Sequence, residues 1–343
     1  MQGIFRRDDG ALPNLAVILY TLIGWAAGIW LLTLPALWLN ALGVVLTAHT
    51  LIYSAYLIHD CSHHAVFRGA AANDRLGLVM SWINGACLAS YVGLKKKHLR
   101  HHSDRLDVVT FDYRAALNGC PRWLRRVVIA LEWAYVPAVE LLMRGFVIAA
   151  PFASENRGSR ARLVRVLAIR IAAFGALGFV SPRALLGYAL AYWLFIMVLR
   201  FMDAFQHTYA VYATRSLAPA PVDARRDLRY EYENTYSNLI AERWPWLNVL
   251  VLNFPYHNAH HVRPSEPWYR LPALHRQLYG EQRDRQVIVC RELIASFHRH
   301  RVARIFAEDC GLVGAAGETP SGGAGGRAGE FIGAVGVSFL TAV

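Results

Sequence analysis

Lysine is almost missing from this sequence. The three that exist stand together as Lys95, Lys96 and Lys97, and the remaining 33 of the 36 basic residues (36 − 3) are arginine. Charge of either sign is scarce: 17% of the 343 residues are charged and 55% are hydrophobic, against about 25% charged in an ordinary soluble domain. Mean hydropathy is positive, +0.26. Cysteine is limited to Cys61, Cys87, Cys120, Cys290 and Cys310, with no C-x-x-C pair. They give no sign of a disulfide framework and fit free thiols in a reducing compartment. The sequence has neither H-E-x-x-H nor any E-x-x-H pair, which excludes the helical zinc protease and the carboxylate-rich di-iron bundle. No haem or flavin motif and no fused electron-transfer domain is visible. The net charge of +12 does not point to nucleic acid. In so apolar a chain, excess positive charge marks loops lying on an anionic membrane surface.

Long uncharged runs fill the space that charge leaves. Ala11 to Ile58 contains no acidic or basic residue apart from His49, enough for two bilayer crossings at roughly 20 residues each. Pro35 divides it into spans at 13–33 and 36–58. The run is too long for a signal peptide's apolar region. A second pair is expected at 164–181 and 184–202, separated by Ser181–Arg183, with Arg165 and Arg170 snorkelling at one end. Leu76–Leu94 and Val127–Pro151 are apolar but interrupted by polar or charged residues, and read as interfacial or re-entrant helices. The expected fold is therefore an all-α integral membrane protein of four transmembrane helices in two hairpins, with interfacial helices and a cytoplasmic, histidine-rich metal-binding cap. Arg6 and Arg7 and the basic middle and C-terminal segments place both termini in the cytoplasm, consistent with a bacterial inner membrane. Residues 1–310 form the membrane domain. Residues 311–343 are Gly/Ala-rich and expected to be disordered, with a final apolar run, Phe331–Val343, that is too short to cross.

Histidine is the residue in surplus. Ten of the 14 fall in four clusters: "HDCSHH" (His59, His63, His64), "HLRHH" (His98, His101, His102), "DAFQH" (His207) and "HNAHH" (His257, His260, His261). Residues three and four apart share a helix face, so His59 can join His63, and His98, His101 and His102 can point one way. Imidazole suits iron, zinc and copper, and eight or nine imidazoles exceed one ion's capacity, so two neighbouring ions fit the count. Neutral ligands leave the ions' charge uncompensated, which calls for outer carboxylates; Asp60 and Asp104 are the first candidates, with Asp107 and Asp112 behind them. Each cluster falls at a span end or in a cytoplasmic segment, so all four meet on one membrane face if 76–94 does not cross.

Three boxes of this kind, in this order and between two membrane hairpins, resemble the integral-membrane fatty acyl desaturase family over about residues 11–290. The resemblance implies a non-haem centre of two Fe ions that uses O2 and two external electrons to remove two hydrogens from an acyl chain. It carries ligand roles to His59, His63, His98, His101, His102, His257, His260 and His261. A ninth histidine of stearoyl-CoA desaturases is matched by His207, but Asp203 stands where they have a water-bridged asparagine, so Asp203 is a possible ligand. The first box also permits His64 in place of His63. The implied partners are an acyl lipid, acyl-CoA or acyl-carrier substrate, membrane lipids and a separate ferredoxin or cytochrome donor, with no nucleic acid. The same boxes serve hydroxylases, carotenoid ketolases and alkene-forming fatty acid decarboxylases. A metal transporter is the non-enzyme alternative, weakened because these histidines lie beyond the helix ends rather than at mid-bilayer.

Overall fold

The computed structural model describes residues 3–153, 159–213, 226–280, 286–311, 330–336 and 338–343. The expected tail stretch 312–329 lies outside the described residues. Two compact units make up the chain, the first drawn from Met1–Lys95, Arg144–Val198 and Leu340–Val343, the second from Lys96–Met143 and Leu199–Phe339.

The chain is mostly helical. In order it forms α1 (Ala11–Thr33), α2 (Leu37–Ser62), α3 (Ala70–Asn84), α4 (Tyr91–Asp104), a short strand β1 (Asp107–Val109), α5 (Tyr113–Gly119), α6 (Arg122–Trp133), α7 (Ala138–Ala149), α8 (Arg160–Val180), α9 (Pro182–Ala204), strand β2 (Val211–Ala213), α10 (Leu228–Glu233), α11 (His257–Val262), α12 (Leu271–Tyr279), α13 (Cys290–Arg299) and α14 (Ala303–Phe306). Among the described residues four helices are long and apolar enough to cross a membrane: Asp8–Thr33, Leu37–Ser62, Arg160–Val180 and Pro182–Ala204. They are the four expected spans, each a few residues longer.

In the first unit the α1–α2 turn shows why the uncharged run folds back. A helix end leaves carbonyls without intrahelical donors, and lipid offers none. The amide nitrogen of Asn40 is shared among the carbonyls of Leu31, Leu32 and Leu34, at 3.0, 3.1 and 2.9 Å. The guanidinium of Arg183, in the α8–α9 turn, donates to the Pro35 carbonyl at 3.1 Å. Leu32, Val44, Ala48, Ala184, Tyr188 and Ala191 form one buried cluster drawn from both hairpins.

The run 76–94 forms no helix long enough to cross a membrane. It breaks at Gly85, whose φ of 81° ends α3 in the left-handed region that glycine enters without penalty. A single 3-10 turn at Ala86–Leu88 follows, then α4. The bare carbonyls of this break are met by arginines of α8. Arg162 donates to Cys87 and Leu88 at 2.9 and 2.6 Å, and Arg170 to Trp82 at 2.9 Å. Arg170 thus holds the break together rather than snorkelling. Val127–Pro151 is likewise divided, into α6 and α7 of 12 residues each, too short to span.

In the second unit, β1 and β2 pair in parallel, Val108 opposite Tyr212. This small sheet ties the end of α4 to the chain leaving α9, and thereby brings two histidine clusters together. Residues 206–208 run antiparallel to 234–236, through Thr208 N–Asn234 O (3.1 Å) and Tyr236 N–Gln206 O (2.8 Å). The side chain of Asn238 donates to the Met202 carbonyl at 2.6 Å, closing the end of α9.

Candidate metal centre

Within the second unit the histidines of α4, α11 and the segment between α9 and β2 sort into two groups. His101, His207, His257 and His261 offer ring nitrogens that all lie within 4.8 Å of one another. His207 Nε2 is 3.0 Å from His101 Nε2 and 2.7 Å from His257 Nε2, and His261 Nε2 is 3.1 Å from His257 Nε2. His98, His102 and His260 meet separately, with His102 Nε2 3.3 Å from both His98 Nε2 and His260 Nε2.

Helix geometry dictates this split. At 3.6 residues per turn, positions i and i+4 nearly eclipse while i+3 falls some 60° to the other side. His98 and His102 therefore serve one group and His101 the other. On α11, His257 and His261 serve one group and His260 the other. Each H-x-x-H-H box feeds two sites, so the three histidines of a box do not point one way.

The donor set fits a cation. His101 Nδ1 lies 2.7 Å from the Leu106 carbonyl, which can only accept, so Nδ1 carries the proton and Nε2 presents a lone pair. His261 Nδ1 faces Glu231 Oε1 at 2.9 Å, which fixes the same tautomer. Lone pairs converging at about 3 Å repel unless a positive centre sits among them, and one metal ion satisfies all four nitrogens together. The rings are also held neutral. Burial pushes His101 from its ordinary 6.5 down to about 3, pushes His207 well below 6.5 and lowers His261. Tyr209 stacks on His207 with centroids 4.3 Å apart.

Two carboxylates stand behind this group. Glu231 receives His261 on one oxygen and Arg105 Nε, at 2.8 Å, on the other. Burial pushes its carboxyl up, but these two hydrogen bonds outweigh burial and leave it below its ordinary value. Asp107 Oδ1 is 3.5 Å from His101 Nδ1, and burial pushes its carboxyl up to about 7. Glu231 has no spacing relation to any box, so the sequence gives no sign of it. Asp227, whose carboxylate accepts from Tyr230 N at 2.9 Å, starts the short helix α10 that carries it. Glu231→Gln keeps the shape and removes the charge behind His261. The expected result is metal binding weakened about 10–100-fold, read by competition with a chelator; unchanged affinity would remove Glu231 from the site.

The remaining sequence candidates are placed as follows. In the first unit, His59 and His63 lie together at the end of α2, ring centroids 5.1 Å apart. Asp60, buried, approaches His59 Nδ1 at 3.3 Å. His64, at φ 55°, is engaged by Lys95 Nζ at 2.7 Å. Asp104 is taken by Arg100 and Ser103, and Asp112 caps α5 through Ala115 N at 2.9 Å. Asp203 sits in the last turn of α9 and belongs to neither histidine group. His275, which reads as a surface residue from sequence, is half-buried and bonds the Asn258 side chain at 3.1 Å. Asn258 also accepts from Ser237, which ties α11 to the segment after α10.

The lysine triplet is not a uniform tether. Lys95 holds Asp74 at 2.8 Å as well as His64. Lys97 is buried, donates to Thr110 Oγ1 at 3.0 Å and is pushed down to about 7 by burial. Lys96 alone of the three is exposed.

These placements explain what the family comparison finds. The model of the fatty acid desaturase family matches residues 36–292. The chain belongs to the fatty acid desaturase family. The matched span holds every histidine of the four clusters. No curated protein matches the chain. Membership makes the protein an oxidoreductase of the desaturase type, with a lipid substrate and a redox partner in general, and the histidine groups are suited to a metal cofactor. The four apolar helices agree with a membrane protein.

The depressed histidines set an acid limit for the metal-free protein. An unfolded histidine gains its proton near 6.5, whereas folded His101 gains it only near 3. Stability is then full above pH 6.5 and lost as pH falls toward 3, by about 1.4 kcal/mol per pH unit for each such group. Thermal melts of metal-free protein across this window are expected to show the fall, and the metal-loaded protein a shallower one. A flat profile without metal would contradict the buried-neutral assignment.

Proposed function

We propose that this family member is an O2-dependent fatty acyl desaturase working through two iron ions. The observation that carries the reading is the convergence of four neutral imidazole Nε2 atoms, two of them fixed as lone-pair donors by Leu106 O and Glu231. His101, His207, His257 and His261 would hold one ion. His98, His102 and His260 serve the other, and the family's box pattern assigns His59 and His63 as ligands too. Asp203 is kept as a ligand through water, and Asp60 as the outer partner of His59.

When bound, the iron pair supplies the oxidising power: O2, two external electrons and two protons, together with the two hydrogens taken from adjacent methylenes, become two waters and leave a double bond. The chain's own part is positional. Leu106 O and Glu231 orient imidazoles, Arg105 steadies Glu231, and the burial of His257, His260 and His261 keeps bulk water from the reacting centre. The electrons come from a separate ferredoxin or cytochrome. Positive charge on Arg6, Arg7 and the histidine-bearing segments supports a cytoplasmic site and cytoplasmic termini, in a bacterial inner membrane.

The test is expression in a host of defined lipid composition followed by lipid profiling under air and without oxygen. An unsaturated product that needs O2, and that disappears in His98→Ala and His260→Ala, is expected. A hydroxylated, ketonic or terminal-alkene product would reassign the reaction within the same chemistry. Product persisting in both variants would overturn the assignment.

A further inference from the structure

The apolar stretch near the chain end packs into the second unit. From Phe331 to Gly336 burial alternates residue by residue, Phe331, Gly333 and Val335 being buried and Ile332, Ala334 and Gly336 less so. That is the period of an extended chain with one face inward. Phe331 joins Phe205, Tyr236, Leu293 and Cys310 in one core cluster, and Val335 joins Val139, Met143 and Ile305 in another. The backbone is pinned at four points: Gly333 N to Cys310 O (3.1 Å), Ala334 N to Ala204 O (2.8 Å), Arg304 Nε to Ile332 O (2.8 Å), and Ser296 Oγ to Phe331 O. Gly333 is a fixed point of register. Its φ is 77°, and a Cβ there would meet Ala204 O at 2.5 Å. The segment therefore lies directly on the last turn of α9, just before His207.

Further along the chain, one aromatic ring stands beside a histidine of the three-histidine group. Phe339, only half-buried, stands with its centroid 6.5 Å from that of His98, tilted by 58°, within the range of aromatic contact. His98 belongs to the three-histidine group, and its Nε2 faces His102. An apolar, partly accessible ring beside a ligating imidazole is a wall of the kind an alkyl chain packs against.

We propose that Phe339 is a specificity-determining residue: its ring bounds the space beside His98 and limits how an acyl chain seats against the iron pair, and so which chains are preferred. The inference rests on the acyl-desaturase reading above.

The test compares wild type with Phe339→Ala, Phe339→Leu and Phe339→Trp on a graded series of saturated acyl substrates, reading kcat, KM, product double-bond position and iron content. A methylene's worth of space in an apolar site shifts discrimination by about 10–200-fold. Phe339→Ala is expected to shift the ratio of kcat/KM between neighbouring chain lengths by at least about 10-fold toward the longer chain. Phe339→Trp should shift it the other way and Phe339→Leu less than Ala, with iron content unchanged. Unchanged chain preference in iron-replete variants overturns the proposal. So does loss of iron from both the Ala and Leu variants, which would make the ring a structural support of His98. An inactive iron-loaded wild type overturns the desaturase reading itself, and this inference with it.

Discussion

Replacing His257 by alanine is expected to abolish the unsaturated product and to remove about half of the bound iron. His257 is central to its group, its Nε2 lying 2.7 Å from that of His207 and 3.1 Å from that of His261. Removing it leaves three imidazoles around one ion and opens a position to water. The loss should exceed the roughly 10–100-fold that altering an outer partner costs, so His257→Ala falls well below Glu231→Gln. The informative control is His64→Ala. That histidine neighbours the first box but is engaged by Lys95, and its loss should leave iron content unchanged. The effect is read by metal analysis and product profiling on the same preparations. If His257→Ala keeps its full iron complement and His64→Ala does not, the ligand assignment is wrong.

The second large effect concerns stability. Glu132 looks out of place in the apolar run 127–151, and the structure supplies its reason. Its Oε2 receives Arg200 Nη2 at 2.9 Å and its Oε1 receives Val139 N at 2.9 Å. The side chains are 2% and 5% exposed for Glu132 and Arg200, so neither charge has water to fall back on. The pair ties α6 to the final turns of α9, just ahead of His207. Removing one partner of a buried pair strands the other charge and costs about 3–5 kcal/mol. Glu132→Ala and Arg200→Met should each lower the melting temperature sharply in detergent-purified protein. The double variant Glu132→Leu with Arg200→Met should recover much of the loss, because two apolar side chains replace two charges that had to be desolvated. Equal losses in the double and single variants would show that the pair's hydrogen bonds, rather than an uncompensated charge, set the cost.

What could be read from the chain beforehand follows its periodicities. The four spans were legible because an uncharged run of this length has one solution in lipid, and Pro35 and Ser181–Arg183 mark the turns. The histidine boxes were legible because a short helical spacing places ligands without help from the rest of the fold. The division of each box between two groups is also implicit in helix geometry, but it needs both boxes in place to have meaning. Other features depend on residues far apart in sequence. Arg162 and Arg170 reach from α8 to carbonyls near position 85, and that contact satisfies the carbonyls bared where the run 76–94 breaks at Gly85. Glu231 meets His261 across 30 positions. Phe331 is buried because α9 and α13 leave a groove for it, which no local pattern at residues 330–343 announces.

On the proposed function, the histidine groups hold a pair of iron ions that react with O2. The most direct measurement is metal analysis of the purified protein together with Mössbauer spectroscopy after iron-57 loading, before and after exposure to O2 with acyl substrate. About two irons per chain are expected, with ferrous signals lost on reaction with O2 and one double bond formed per pair of electrons supplied. A protein that binds one ion, or binds zinc in preference to iron and forms product without O2, would contradict it.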